Sequence, residues 1–200
     1  MGKKSKKPSL HSLSRLPVDA KTFMKELRGE SDRASALIAG AVISEKLGDL
    51  LHLYFGNLPE GDVNRLFHDR GAPLGDFASR TDVSFALGLI SPQERLACNT
   101  IRNIRNVFAH TSAQIDFSNI LIAAELSKLT PDEPAIKDTI VKAVFVELST
   151  LFYMTLLYRS RYLADKRVSE LTELGASALI PIYKLAMKVQ PRWSILAAPQ

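Results

Sequence analysis

Three residues near the middle of the chain have the types and spacing to do chemistry. Arg105, Asn106 and His110 supply a fixed cation, an amide and a titratable imidazole within two helical turns. Such a set binds phosphate readily or forms a self-complementary dimer seam. Arg102, Asn106 and His110 recur every four residues, with Asn99 and Asn103 beside them and Arg105 at the edge. The plain alternative is a solvated polar face, which amphipathic surface helices carry as a rule.

The element that must position them is a helix over residues 91–110. Ser91 reads as its N-cap, Pro92 occupies the first helical position, where no N–H is needed, and Glu94 can close a capping box. Ala97, Ile101, Ile104 and Phe108 then form an apolar stripe opposite the polar face.

These residues carry a resemblance. RNVFAH at 105–110 resembles the R-x4-H helix motif of the HEPN superfamily (higher eukaryotes and prokaryotes nucleotide-binding). Upstream, GAPLGDFASR at 71–80 and FALGLI at 85–90 resemble segments of the mannitol operon repressor (MltR) family, in the order in which that family carries them. The likeness covers residues 30–125 or so, and it rests on the ordered set of three motifs. It implies an all-α bundle of long antiparallel helices and a transcriptional regulator, a repressor, that acts as a helical interaction module. Because no helix-turn-helix segment is visible, that regulator would work through a protein partner, with DNA contact indirect or through a basic tail. The alternative implied by the R-x4-H likeness is an RNA-cleaving endoribonuclease. Arg105 would then stabilise phosphate charge, His110 would serve as acid or base on the 2′-hydroxyl, and Asn106 would orient it, at a homodimer interface.

Two further residues join the expected polar pocket. A long helix capped by Ser31 carries Ala34, Ala41 and Gly48 at seven-residue intervals, with Glu45 on the same face and Ile38 and His52 nearby. A carboxylate there needs a partner if buried, and the resemblance to HEPN helical pairs makes that partner Arg105. Arg80 could face the same pocket. The expected binding set is therefore Glu45, Arg80, Arg102, Arg105, Asn106 and His110, with no catalytic residue in the regulator reading.

Other chemistry finds no support. His11, His52, His68 and His110 lack metal-ligand spacing, so no metal is expected. The Gly75–Asp76 pair is not a phosphate loop, no nucleophile elbow occurs and no Gly-rich cofactor loop is present, so no cofactor is expected. Cys98, the single cysteine, excludes an internal disulfide and fits a reducing cytosol, with packing as its role.

The 46% apolar content is ample for a core, and the net charge of +5 is unevenly placed. Lys3, Lys4, Lys6, Lys7 and Arg15 lie in the first 17 residues, which contain no acid; the remainder holds 21 cations against 21 acids. A body that grips DNA through many phosphates carries a basic excess, and this one does not. The run 140–158 is interrupted by Lys142 and Glu147, so no membrane span is expected, and the N-terminal lysines precede no apolar signal core.

The remaining pattern predicts helices over 18–28, 31–55, 60–68, 74–87 (with Asp76 helping to cap it), 117–128 and 135–163, and a short one over 168–174. No alternating strand pattern occurs, so the fold class is all-α. Residues 1–17 read as a basic flexible tail, 18–175 as one helical domain, and 176–200 as an apolar segment broken by Pro181, Pro191 and Pro199. Phe152, Tyr153, Tyr158 and Tyr162 suit core packing better than a base-stacking platform.

Overall fold

The computed structural model describes residues 19–56, 58–129 and 140–165. These form α1 (Ala20–Gly29), α2 (Asp32–Phe55), α3 (Glu60–Phe67), α4 (Phe77–Ala86), α5 (Pro92–His110), α6 (Ile120–Ser127) and α7 (Val141–Asp165), with no strand among the described residues. The protein is all-α. The expected tail at 1–17, the 130–134 breaker, the 168–174 helix and the 176–200 segment lie outside the described residues.

Local chemistry sets most of the boundaries. Asp19, Ser31, Asp76, Ser91 and Asn119 each accept a backbone N–H of the helix they precede. Gly88, at φ 69°, takes the left-handed conformation that ends α4 and turns the chain into α5. Three predicted helices begin later than expected, α1 among them, at Ala20 after its Asp19 cap. α4 starts at Phe77 because Asp76 caps it, and α6 starts at Ile120 because Asn119 caps it after a turn fixed by Asp116 and Ser118.

Three long helices carry the core. Arg33 near the start of α2 donates to the Thr111 carbonyl just past α5, and Gly40 of α2 lies against Arg105 of α5, so these two helices run antiparallel. At the opposite end of α5, Glu94 meets Arg159 near the end of α7, so α5 is antiparallel to α7 as well. α2 and α7 start side by side, where Lys142 pairs with Asp32 at 3.1 Å. The antiparallel expectation therefore holds for α5 against both neighbours, whereas α2 and α7 run in the same sense.

Ala97, Ile101, Ile104 and Phe108, the stripe read from the sequence, are all buried. Phe108, Phe117 and Phe145 stack in series, with ring centroids 5.1 and 5.0 Å apart, and so fasten the segment after α5 to α7. Phe152 and Tyr153 are core residues, Tyr153 lying 4.7 Å from Phe23, whereas Tyr158 and Tyr162 are exposed.

α7 is long and apolar enough to cross a membrane by length and composition, despite Lys142 and Glu147, and 61% of that window is buried within the protein. It packs against α1, α2, α5 and α6. This burial is that of a bundle's core helix.

Candidate binding pocket

The pocket is built where α5 crosses α2. Gly40, Ser44 and Gly48 follow one another at intervals of four along α2, so they share one helix face. Their small side chains let two arginines lie flat on that helix. A Cβ on Gly40 would come within 2.7 Å of Arg105 Cγ, and one on Gly48 within 3.1 Å of Arg80 Cζ.

Arg80 is a strut. Its Nε donates to the Leu74 carbonyl at 2.7 Å and its Nη1 to the Ser44 carbonyl at 3.0 Å, which ties the segment before α4 to the middle of α2. Burial pulls its guanidinium below the ordinary value, while the charges of Glu45, Asp49 and Asp76 oppose that shift. Glu45 thus contributes its charge at Arg80.

Arg102 and Arg105 belong to the pocket itself. Its volume is about 510 Å³, and its walls are Gly40, Ala41 and Ser44 of α2, residues 75–78 at the start of α4, and Arg102, Asn103, Arg105 and Asn106 of α5. Arg105 Nη1 donates to Asn106 Oδ1 at 2.9 Å, an orientation that holds its guanidinium beside the amide. Arg102 is half-buried and makes no hydrogen bond or ion pair among the described residues. Asp76, in the opposite wall, is committed to its own helix. It accepts from the Ser79 N–H at 3.0 Å and from the Ser79 hydroxyl at 2.7 Å. Those bonds, with a smaller contribution from Arg102, hold its carboxyl below the ordinary range.

His110 is placed elsewhere. It is exposed at the last position of α5 and lines no part of the pocket. Five residues of helix turn it about 140° from Arg105 and carry it about 7.5 Å along the axis. The structure thus brings Arg102, Arg105 and Asn106 together, sets Glu45 of α2 and Arg80 of α4 beside them, and leaves His110 apart.

Several of the walls carry no mark in the seven-residue pattern. Gly40 and Ser44 lie off the Ala34, Ala41 and Gly48 heptad; the four-residue ladder through Gly48 is the signal that marks them. Asn103 was seen only as a neighbour, and it also bonds Glu125 of α6 at 2.8 Å.

A second polar feature lies deeper. Glu94 is 2% exposed and Arg159 6%, and they pair at 2.8 Å. The other Glu94 oxygen accepts the Ser91 N–H at 2.7 Å and closes the capping box, while Arg159 also donates to the Leu89 carbonyl. This pair clamps the α4–α5 turn onto α7. Cys98 beside it is fully buried, and that burial raises its thiol far above the ordinary value.

Chemically, the pocket offers two permanently charged guanidiniums, two amides and one hydroxyl. Its one acid is held ionised by a helix cap. Nothing in its lining titrates near neutrality. Compared with protein-family models, curated proteins and solved structures, the chain matches none.

Proposed function

We propose that the chain is a regulatory binding module, a transcriptional repressor of the kind its likeness to the mannitol operon repressor family implies, which works through a protein partner and does not cleave RNA. The observation that carries this reading is the composition of the pocket. Fixed cations and amides bind, but acid–base cleavage needs a group that gains and loses a proton near working pH. The imidazole that would do so in the ribonuclease reading, His110, stands outside the pocket.

This reading puts the partner surface beside the pocket. One turn beyond the Asn103–Glu125 bond on each helix, Val107 is 46% and Leu121 75% exposed. Exposed apolar side chains flanked by polar groups favour protein contact. In this reading a second copy of the chain pairs there as a homodimer, the module stays in the cytoplasm, and DNA is reached indirectly or through the N-terminal lysines.

The deciding experiment mixes the purified chain with labelled RNA. Intact RNA supports the module. Cleavage that disappears in His110→Ala replaces it with the ribonuclease reading, in which two copies would have to bring Arg105 and His110 together.

A further inference from the structure

We infer that the pocket between α2, α4 and α5 is the binding site for a small ligand bearing a phosphate group. The inference rests on the binding-module reading and gives that module its ligand class.

Three observations converge on it. The first is an excess of donors. Arg102 presents its guanidinium to the pocket with no hydrogen bond or ion pair among the described residues, and the hydrogen bond Arg105 makes, to Asn106, engages a single N–H. Each guanidinium carries five N–H donors and no acceptor, so the lining calls for an acceptor-rich anion. The second is preorganisation. Arg105 lies on Gly40 at a separation that leaves no room for a Cβ, and Asn106 holds its guanidinium from the side. The cation is therefore already placed, and little side-chain entropy remains to be lost on binding. The third is size. A pocket of about 510 Å³ matches the range of roughly 300–1,000 Å³ that encloses small molecules.

Two features refine the chemistry. α4 begins in the pocket wall, so its positive end adds to the field of the arginines. Ser44 and Asn103 supply neutral groups able to recognise hydroxyls on the remainder of the ligand. A nucleic-acid strand fits less well. It would need a basic track running beyond the pocket, and outside the first 17 residues cations and acids are equal in number.

The test is a titration of the full-length chain with inorganic phosphate at constant ionic strength, read as binding heat and as melting temperature. Saturable binding is expected, with chloride at matched ionic strength giving none. Arg102→Gln should weaken it by about tenfold or more, the loss of a charge-assisted contact. Arg105→Gln should weaken it comparably, while Arg65→Gln, at an exposed residue that pairs with Asp62 away from the pocket lining, should leave it unchanged. Because Arg102 makes no hydrogen bond or ion pair among the described residues, its variant should melt as the parent does, and an unchanged melt separates lost binding from unfolding. Arg102→Lys should keep part of the affinity. The inference is overturned if phosphate fails to saturate, or if binding survives in both glutamine variants. It is overturned equally if a single-stranded oligonucleotide binds with a steep salt slope and phosphate cannot displace it. Absent phosphate binding with intact RNA would defeat this inference alone, whereas RNA cleavage would defeat the module reading itself.

Discussion

Arg105 lies on Gly40 so closely that a single added methyl would stand 2.7 Å from its Cγ. That contact sets the approach of α5 to α2 and aims a guanidinium into the pocket. Gly48 receives Arg80 in a similar way, but through the end of its side chain at 3.1 Å.

The difference separates two alanine substitutions. Mid-helix Gly→Ala gains about 0.5–1 kcal/mol of helix stability. At Gly40 the overlap strikes Cγ, close to the backbone, and overpacking costs about 1–3 kcal/mol. Gly40→Ala should therefore destabilise by about 1 kcal/mol and weaken ligand binding by moving Arg105. Gly48→Ala should come out near neutral, since the guanidinium end needs to give only a few tenths of an ångström. Denaturant melts of the two variants check the ordering.

The Glu94–Arg159 pair yields a larger effect. Breaking a buried pair from one side leaves an uncompensated charge and costs about 3–5 kcal/mol. Glu94→Ala also removes half of a capping box, so it should fall at the upper end of that range in urea unfolding. Gln93→Ala, on an exposed position of the same helix, should stay within about 0.5 kcal/mol.

How much of this was legible beforehand divides along physical lines. The 91–110 helix could be read to the residue because Ser91, Pro92 and Glu94 are local signals that act within one turn. The pocket's α5 wall followed from the same periodicity. The α2 wall did not, because which residues of α2 face Arg105 depends on packing, and Gly40 carries no functional group to mark it. His110 falls outside that wall for a related reason. A motif lists residues along the chain, but a five-residue step on a helix points them apart. Arg159 was invisible altogether, since its partner lies 65 positions away.

Asp76 gives a pH-dependent outcome. Its carboxyl is held below the ordinary range by Ser79, so it stays ionised in the folded protein at pH values where the unfolded chain is already taking up protons. Its contribution is therefore complete at neutral pH and fades as pH falls below about 4. Asp76→Ala should lose about 1 kcal/mol at pH 7, whereas Asp76→Asn should keep the cap and lose the acid dependence. Asp76→Asn should also strengthen phosphate binding a few-fold, because it removes an anion from the pocket wall. Melting temperatures from pH 3 to 7 and the phosphate titration test both.

Cys98 should be inert. It is 0% exposed and burial keeps its thiol protonated, so it lacks both access and thiolate character. A colourimetric thiol reagent should react with the native chain only as fast as the chain unfolds, and at once in denaturant. Rapid labelling of the native protein would show that the α4–α5 turn opens readily.

The most direct measurement follows the arginine Nε–H resonances by NMR while phosphate is added to the full chain, with Arg102 and Arg105 assigned from their glutamine variants. The account predicts that these two signals move together and saturate at one ligand per chain, while Arg80, held by Leu74 and Ser44, stays in place. If the Arg102 and Arg105 signals do not move while phosphate binds, the pocket on α5 is not the site.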